Sequence, residues 1–347
     1  MRDVAELAGV ATMTVSRVLN DSAPVTPRVR QRVLDAIEQL HYHPNPVARS
    51  LRRARSNSIG IVVPNFYDPF FAICAHEVSV VAKKHGYFVM VTASDESAEE
   101  EYIGANTMRM NHVEGIVVIP ATVGKSRLDA PEFGATHIVS LDRPVKGAGI
   151  HNVLVENRKG AEEAVEHLIG HGHKRIGFLG LSDKLFTMKT RYEGYRKTML
   201  KNGLEAGRFF GCPTEDEAYE AIARMMDVQK PPTAIFTANN VTTRLALCAL
   251  SRHRLRIPQD LALIGFDDFE TADILDPPIT VVRQPIKQLG RVGAELLISR
   301  LQGKDVAPSS KPIVLPVELV IRESCGCKRR SLKTEKVSVK ATASRKS

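Results

Sequence analysis

From residue 59 onward, short apolar runs alternate with longer stretches in which apolar and polar residues mix. The runs predict strands at 59–63, 87–92, 115–119, 137–141, 175–179, 233–237 and 261–266. Helices are predicted near 70–85, 97–111, 157–170, 188–202, 215–227 and 240–252. Unbroken apolar runs that alternate with helices are typical of parallel strands buried on both faces. The pattern therefore predicts two doubly wound α/β lobes in tandem, with a ligand crevice at their strand ends.

The first 42 residues show only helical periodicity and predict three short helices. The first two cover 2–8 and 12–20, with a turn at Gly9, and the third begins at Thr26 and Pro27, a helix cap followed by a proline. The predicted core of this unit is Val4, Leu7, Val15, Val18, Leu19, Val29, Val33, Ala36, Ile37 and Leu40. Their spacing places one apolar stripe on each helix, as an all-α head requires.

A proline-rich segment follows the head. His43, Pro44, Asn45 and Pro46 cannot continue a helix, but Asn45 can cap a new one with Pro46 as its first residue. That helix spans about 47–53, and isolated helices shorter than ~12 residues are marginal in water. We therefore expect a tether over 45–58 that becomes ordered only when something contacts it.

The charge of the chain is concentrated at its ends. The 347 residues carry a net charge of +9, of which residues 1–58 supply +4 and residues 328–347 supply +7. Basic ends indicate a polyanionic partner, although the tail is equally typical of a solvated, disordered charge run. The head is therefore the better candidate for contact with nucleic acid.

Other compositional features limit the class of protein. No uncharged apolar run approaches the ~18 residues that would span a bilayer, and Asp3 and Glu6 near the start argue against a secretory signal. The five cysteines are scattered, which is typical of free thiols in a reducing compartment. We therefore expect a cytoplasmic protein.

The first two helices have the residue pattern of a helix-turn-helix. Ala5 is small enough for two helices to cross closely, Gly9 makes the turn, and Val15 fixes the second helix. The exposed face of that helix carries Thr12, Met13, Ser16, Arg17 and Asn20. Such side chains can contact base edges or phosphates in a major groove. The spacing alone is only moderately specific, because many helical hairpins bind nothing, and Met13 could instead be a packing residue.

A series of motifs runs along the chain in a fixed order. They are DVAELAGV, TVSRVLN, VTPRVRQRVLDAIEQLHYHPNPVARSL, NSIGIVVP, DPFF, EGIVVIP, LDRP, HLIGHGHKRIGFLG, RYEGY, TANN, IGFDD and RESCG. In type and order these motifs resemble the LacI/GalR family of bacterial transcriptional regulators, over about residues 1–325. The resemblance implies a homodimeric, ligand-controlled repressor that binds a pseudo-palindromic operator in double-stranded DNA.

The resemblance also implies roles for residues of the head and tether. Thr12, Met13 and Arg17 correspond to positions that approach bases, and Ser16 and Asn20 to positions of backbone contact. The tether resembles a hinge helix that enters the minor groove, with Leu51 as the wedge between base pairs. The further hinge positions expected at the DNA are Asn45, Val47 and Ala48. The alternative for Leu51 is a linker residue that packs on the core.

The core resembles periplasmic sugar-binding proteins, and the expected effector is a sugar or sugar acid. The expected effector-binding residues are Asp68, Phe70, Phe71, Asp95, Asp142, Arg191, Asn239 and Asp267. Phenyl rings stack on the apolar face of a sugar, carboxylates accept hydrogen bonds from hydroxyls, and arginine offers a bidentate fork.

Several of these residues could instead have structural roles. Phe71 could belong to the core, Asp68 could cap a helix, and Asp142 and Asp267 could be turn residues. Asn240 stands where the family usually has aspartate. Nucleobases are an alternative class of effector.

No cofactor, metal site or enzymatic activity is expected. His171-Gly172-His173 is typical of a helix C-terminal turn, and Cys325 and Cys327 are expected to have no second ligand pair nearby and to form no zinc site. The chain has no G-x-G-x-x-G after a strand, no P-loop and no G-x-S-x-G motif. A transport-type sugar-binding protein is the alternative, but it would need a signal sequence and no DNA-binding head.

The predicted organisation has four parts. Residues 1–44 form the helix-turn-helix domain, 45–58 the hinge helix and linker, 59–325 the effector-binding core, and 326–347 a basic disordered tail. Within the core, the N-lobe is expected over about 59–155 and 285–311, and the C-lobe over about 156–284 and 312–325.

Overall fold

The computed structural model describes residues 1–21, 23–42, 56–121, 127–134, 136–147, 149–304 and 311–327. The head contains three helices: α1 Arg2–Ala8, α2 Thr12–Asn20 and α3 Pro27–Gln39. These bounds match the predicted helices. Among the described residues, no helix is long and apolar enough to cross a membrane.

The three helices of the head enclose a small core. Val4, Val15 and Val33, one from each helix, are fully buried against one another. Gly9 ends α1 in the left-handed region at φ 60°, where a β-carbon would be strained. The Arg32 guanidinium of α3 donates hydrogen bonds to the carbonyl oxygens of Ala8 and Gly9, the latter at 3.0 Å. This contact fixes α3 against the turn of the helix-turn-helix.

Two predicted core residues of the head are exposed instead. Leu7 is 47% exposed because the buried face of α1 is formed by Val4, Ala5 and Ala8. Leu40 is 42% exposed because α3 ends one residue before it, at Gln39. The predicted core of the head is therefore wrong at these two positions.

The core domain alternates strands and helices along the chain. The strands are β1 Ser58–Val63, β2 Phe88–Ala93, β3 Gly115–Val118, β4 His137–Leu141, β5 His151–Val155, β6 Ile176–Gly180, β7 Phe209–Gly211, β8 Ala234–Thr237, β9 Ala262–Phe266, β10 Thr280–Arg283, β11 Ile313–Leu315 and β12 Glu318–Val320. The helices are α4 Pro69–Lys84, α5 Ala98–Met110, α6 Asn157–Gly170, α7 Phe186–Lys201, α8 Glu215–Met226, α9 Asn240–Arg252 and α10 Ile286–Leu301.

The strands form two six-stranded sheets, one in each lobe. The N-lobe sheet has the order β11-β5-β4-β3-β1-β2 and is parallel throughout. The C-lobe sheet has the order β12-β10-β9-β8-β6-β7, with only β12 antiparallel to its neighbour. Helices α4 and α10 cover one face of the first sheet and α5 the other, while α6 and α7 oppose α8 and α9 across the second. The predicted fold of two doubly wound lobes is confirmed.

The chain crosses between the lobes three times, and the third crossing differs from the prediction. The crossings fall between β5 and α6, between β10 and α10, and between β11 and β12. Because β11 pairs with β5, residues 313–315 belong to the N-lobe, whereas the sequence pattern placed the C-lobe from 312 onward. The strands β5, β7, β10, β11 and β12 and the helix α10 were also absent from the predicted elements.

Candidate functional site

A cleft of about 610 Å³ lies between the two lobes, at the carboxyl ends of their parallel strands. Asp142 directly follows β4, and Asp267 directly follows β9, each with a positive φ that turns the chain into the cleft. Asp68 begins α4, and Asn239 lies between β8 and α9. Strand ends of open α/β sheets are where such folds bind ligands, and the volume suits a small molecule.

Arg191, on α7, is held rigidly in the wall of the cleft and is only 2% exposed. Its Nε donates to Asn157 Oδ1 at 2.7 Å, and its Nη1 donates to the carbonyl oxygen of Ala238 at 2.6 Å. The guanidinium also stacks on the Phe266 ring at 3.7 Å from its centre. Asp267 Oδ2 lies 3.6 Å from Nη1. The arginine is therefore preorganised, with its charge balanced by one buried carboxylate.

A second charged group comes from the turn after β4. Arg143 makes a bidentate ion pair with Glu96, with N–O distances of 2.7 and 3.0 Å, and donates to the carbonyl oxygen of Pro120 at 2.8 Å. Its Nε lies 3.6 Å from Asp142 Oδ2, which is too far for a good hydrogen bond. The Asp142-Arg143 pair thus presents both a carboxylate and a cation to the cleft.

Burial governs the protonation of the two central carboxylates. Desolvation raises the pKa of Asp142 above its usual value, although the charges of Arg143 and Arg191 oppose the rise. Desolvation likewise raises the pKa of Asp267, against the charge of Arg191 and a hydrogen bond donated by the Gln284 amide. A ligand that donates hydrogen bonds to these oxygens would offset the cost of keeping them ionised.

Three buried polar atoms in the described part of the chain have no hydrogen-bond partner there. They are Asp142 Oδ1, Arg143 Nε and Gln284 Oε1. All three residues line the cleft. Buried polar groups are nearly always paired, so a cluster of exceptions indicates a place where a ligand or solvent completes the network. Two acceptors and one donor together call for a partner that can both donate and accept.

Aromatic side chains form the N-lobe wall of the cleft. Phe70 and Phe71 pack edge to face, with ring centres 5.4 Å apart, and both also belong to the N-lobe core. Phe71 therefore has the core role that the sequence left open as well as a place in the lining. Tyr67, which sequence reasoning missed, is 84% exposed in the cleft and offers a free ring face.

Asp68 connects the two lobes. Its Oδ1 accepts a hydrogen bond from the backbone N–H of Phe70 and another from Asn240 Nδ2 of the C-lobe, each at 3.0 Å. The carboxylate is thus a helix cap, as the alternative proposed, and also an interlobe contact. Asn239 caps α9, because its Oδ1 accepts a hydrogen bond from the backbone N–H of Thr242. The same residue lines the cleft.

Seven of the eight predicted effector residues line this cleft, and Asp95 does not. The chain turns through positive φ at both Asp95 and Glu96, which leaves Asp95 exposed and places Glu96 in the lining. Charged or hydrogen-bonding lining residues that were not among the predicted effector residues include Tyr67, Glu96, Arg143, Lys184, Asn240, Arg244 and Gln284. Arg143 could have been found, since it directly follows Asp142 in the LDRP motif.

The second candidate surface is the face of α2. Val15 and Val18 are buried, while Thr12, Met13 and Arg17 are exposed and Ser16 is half-buried. Asn20 is the last residue of α2. Thr12, Met13 and Arg17 thus lie opposite the side of α2 that packs on the head. The predicted hinge positions Asn45, Val47, Ala48 and Leu51 lie outside the described residues.

The structure also corrects the expectation that Cys325 and Cys327 have no second ligand pair nearby. His167 and His171, at the end of α6, lie against the two thiols. The sequence could not show this contact because more than 150 residues separate the two pairs.

Together, the two-lobed core and the exposed helix-turn-helix define a ligand-binding, DNA-binding regulator. Residues 1–45 match the family of bacterial regulatory proteins described as lacI, and residues 165–325 match the periplasmic binding protein-like domain. The repressor PurR of Haemophilus influenzae is 32% identical over 332 residues, covering 93% of this chain and 98% of PurR. CytR of Escherichia coli is 29% identical over 327 residues, covering 93% and 95%. The chain belongs to the lacI family of bacterial regulatory proteins.

Solved structures support the same assignment. The lac repressor dimer bound to operator and the anti-inducer ONPF matches with a TM-score of 0.81 and 25% identity, over 93% of this chain and 98% of that one. The complex of the regulator CelR with cellobiose matches with a TM-score of 0.69 and 29% identity, over the same shares. The chain is a DNA-binding transcriptional repressor with an effector-binding domain. Its relatives are repressors and not enzymes, and the comparisons do not favour the alternative of a transport-type sugar-binding protein.

Proposed function

We propose that the effector of this repressor is a sugar or sugar acid that binds in the cleft between the lobes. The observation that carries the proposal is the cluster of unpaired buried atoms on Asp142, Arg143 and Gln284. Vicinal hydroxyls donate and accept hydrogen bonds at once, as this mixed set requires. The Tyr67 ring beside them suits the apolar face of a pyranose or furanose. The CelR–cellobiose complex shows a related regulator with a sugar.

Arg191 and Arg143 extend the proposal to acidic sugars. Each carries a guanidinium whose other contacts are satisfied by fixed partners, so its remaining N–H groups keep their direction. A carboxylate of an aldonate or uronate can accept from such a fork in a bidentate fashion. The exposed amine of Lys184 adds a further cation at the cleft mouth.

A thermal-shift screen of the full chain against sugars, aldonates, uronates and nucleobases tests this proposal. A bound effector raises the unfolding temperature by mass action, and we expect that response from a hydroxylated ligand. The same ligand should give no shift with Asp142→Asn, because the amide replaces an acceptor with a donor. A response to nucleobases alone would contradict the proposal.

We further propose that the chain acts as a cytoplasmic homodimer on a pseudo-palindromic operator. The N-lobe exposes an apolar surface on β2 and α5, formed by Phe88, Met90, Val91 and Ile103. Exposed apolar side chains at the edge of a domain are candidates for a protein interface, and the lac repressor relative is a dimer. Two heads held by such an interface would place two α2 helices in successive major grooves.

In this proposal, effector binding alters the closure of the lobes and thereby the spacing of the two N-lobes and their heads. The base-contacting residues are Thr12, Met13, Ser16, Arg17 and Asn20, and the hinge residues are Asn45, Val47, Ala48 and Leu51. A coupling free energy of ~1–3 kcal/mol changes operator affinity by roughly 5–150-fold. The three chain crossings and the Asp68–Asn240 contact are links between the lobes through which such a change could be transmitted.

The variant Leu51→Ala tests the hinge. Loss of an apolar wedge removes the bend that brings more protein onto the duplex, so operator affinity should fall strongly while effector affinity stays unchanged. Fluorescence anisotropy with operator DNA and calorimetry with effector measure the two quantities. Unaltered operator affinity would refute the hinge role of Leu51.

A further inference from the structure

Four side chains of metal-binding type meet at the end of α6, on the C-lobe. His167 and His171 are one helical turn apart, so their imidazoles lie on the same face of the helix. Cys325 and Cys327 come from the segment that follows β12. Neither pair takes part in the cleft or in the DNA-binding head. Because α6 begins at Asn157, which accepts a hydrogen bond from Arg191 of the cleft, and has 14 residues, the two sites are separated by about 20 Å.

Three of the six distances between the four ligand atoms are close to the edges of a coordination tetrahedron, and Cys325 joins the other three residues through its contact with His167. His171 Nε2 lies 3.1 Å from Cys327 Sγ, and His167 Nε2 lies 3.5 Å from the same sulfur and 3.3 Å from Cys325 Sγ. Zn–S bonds of ~2.3 Å and Zn–N bonds of ~2.0 Å at tetrahedral angles place sulfur and nitrogen about 3.5 Å apart. The ligand atoms of His167, His171 and Cys327 all lie within 4.8 Å of one another.

The segment that carries the thiols is held in place by its own contacts. Gly326, between the two cysteines, has a φ of 94°, which allows the tight turn that brings both thiols to α6. The Ser324 hydroxyl donates to the Leu263 carbonyl oxygen at 2.7 Å and accepts from the Thr280 N–H at 2.8 Å.

The Thr280 hydroxyl also donates to Cys325 Sγ at 3.2 Å. Hydrogen bonds to a ligand atom orient it and tune the metal that it binds. Hydrogen bonds of Ser324 and Thr280 therefore hold the thiol segment in place beside the histidines of α6.

We propose that His167, His171, Cys325 and Cys327 bind one Zn(II) ion in tetrahedral Cys2His2 coordination. Two thiolates and two imidazoles are a ligand set that selects Zn(II). Four protein ligands leave no position for water or substrate, so the ion is structural and ties α6 to the end of the C-lobe. This site is separate from effector binding.

Metal analysis of the tag-free, fully reduced chain tests the proposal. Competition with a chromophoric chelator should show one equivalent of Zn(II) per chain, and Zn(II) should raise the unfolding temperature. Co(II) is the spectroscopic probe. It should give the intense visible absorption of a tetrahedral site together with near-ultraviolet thiolate-to-cobalt charge transfer.

Two surface variants identify the ligands without threatening the fold. His171 is exposed and Cys327 is half-buried, so His171→Asn and Cys327→Ser should fold as the parent chain does. Each should weaken Zn(II) binding by more than the roughly 10–100-fold lost when only an outer-shell partner is removed. Cys327→Ser should also reduce the charge-transfer band.

Two matched control variants remove a thiol and an imidazole that are not proposed ligands. Cys248→Ser removes a half-buried thiol of α9, and His173→Asn removes a neighbouring imidazole whose Nδ1 contacts Thr233 instead. Both should leave the affinity for Zn(II) and for the effector unchanged. The proposal is overturned if the reduced chain takes up no Zn(II), which would leave the contacts as thiol–imidazole hydrogen bonds. It is equally overturned if His171→Asn and Cys327→Ser bind as tightly as the controls.

Discussion

At the scale of single residues, Arg191 shows how hydrogen bonds and nearby carboxylates offset the desolvation free energy of a buried charge. The guanidinium is removed from water, and burial lowers its pKa, while Asp267 and Asp142 oppose that change. Fixed acceptors on Asn157 and Ala238 and the ring of Phe266 stabilise it in one orientation. Lysine could carry the same charge but could not satisfy this planar arrangement.

The variant Arg191→Lys should therefore lower effector affinity. Hydrogen bonds to charged groups contribute ~1.5–3 kcal/mol, so the loss of one should reduce affinity by roughly tenfold or more. Calorimetric titration of the effector measures this. Arg244→Lys is the control, because Arg244 lines the cleft but is exposed and paired with Glu215. Equal losses for both variants would contradict the central role of Arg191.

At the scale of elements, apolar periodicity predicted every helix of the head and most of the long elements of the core. The predicted helix 2–8 is observed as Arg2–Ala8, and the predicted strand 137–141 as His137–Leu141. Short strands such as β11 and β12 were missed because their few residues are largely exposed and their place depends on a sheet formed elsewhere.

The cleft was predictable where a residue directly follows a strand, as Asp142 and Asp267 do. The partners that orient those carboxylates were not predictable from sequence alone. Gln284 is 17 residues from Asp267, and Glu96 is 47 residues from Arg143. Only the packing of one element on another brings such residues together.

Helix capping in the head gives a prediction at the same scale. Ala11 caps α2 with the extended backbone that a capping residue adopts, but it offers no side-chain oxygen. Ala11→Ser should stabilise α2 by about 0.5–2 kcal/mol, seen as slower amide hydrogen exchange in that helix. Thr26→Ala should change the exchange of α3 little, since Thr26 makes no side-chain capping bond. A larger effect at Thr26 than at Ala11 would contradict this account of the caps.

At the scale of the whole molecule, a hydrogen bond links the two lobes across the cleft. Asn240 Nδ2 donates to Asp68 Oδ1 at 3.0 Å. The resemblance to the family implies aspartate at position 240, and a carboxylate there would face Asp68 with the same charge. The asparagine therefore allows an attractive contact between the lobes where an aspartate would place two like charges.

Asn240→Asp should open the lobes and weaken effector binding more than Asn240→Ala does, because the alanine only removes a donor. Like charges in contact repel each other, so the Asp variant adds a repulsion between the lobes that the Ala variant lacks. Small-angle scattering measures the opening of the lobes, and effector titrations measure the affinity. An Asp variant that binds the effector as the parent does would refute the interlobe role of Asn240.

Effector binding in the cleft should change the affinity of the head for DNA. The most direct measurement is an anisotropy titration of the full chain with the genomic fragment that it selects, with and without the effector found by thermal shift. We expect a preferred fragment whose affinity changes by roughly 5–150-fold when the effector is added. Equal affinity for that fragment and for random duplex, or the same affinity with and without the effector, would contradict the account.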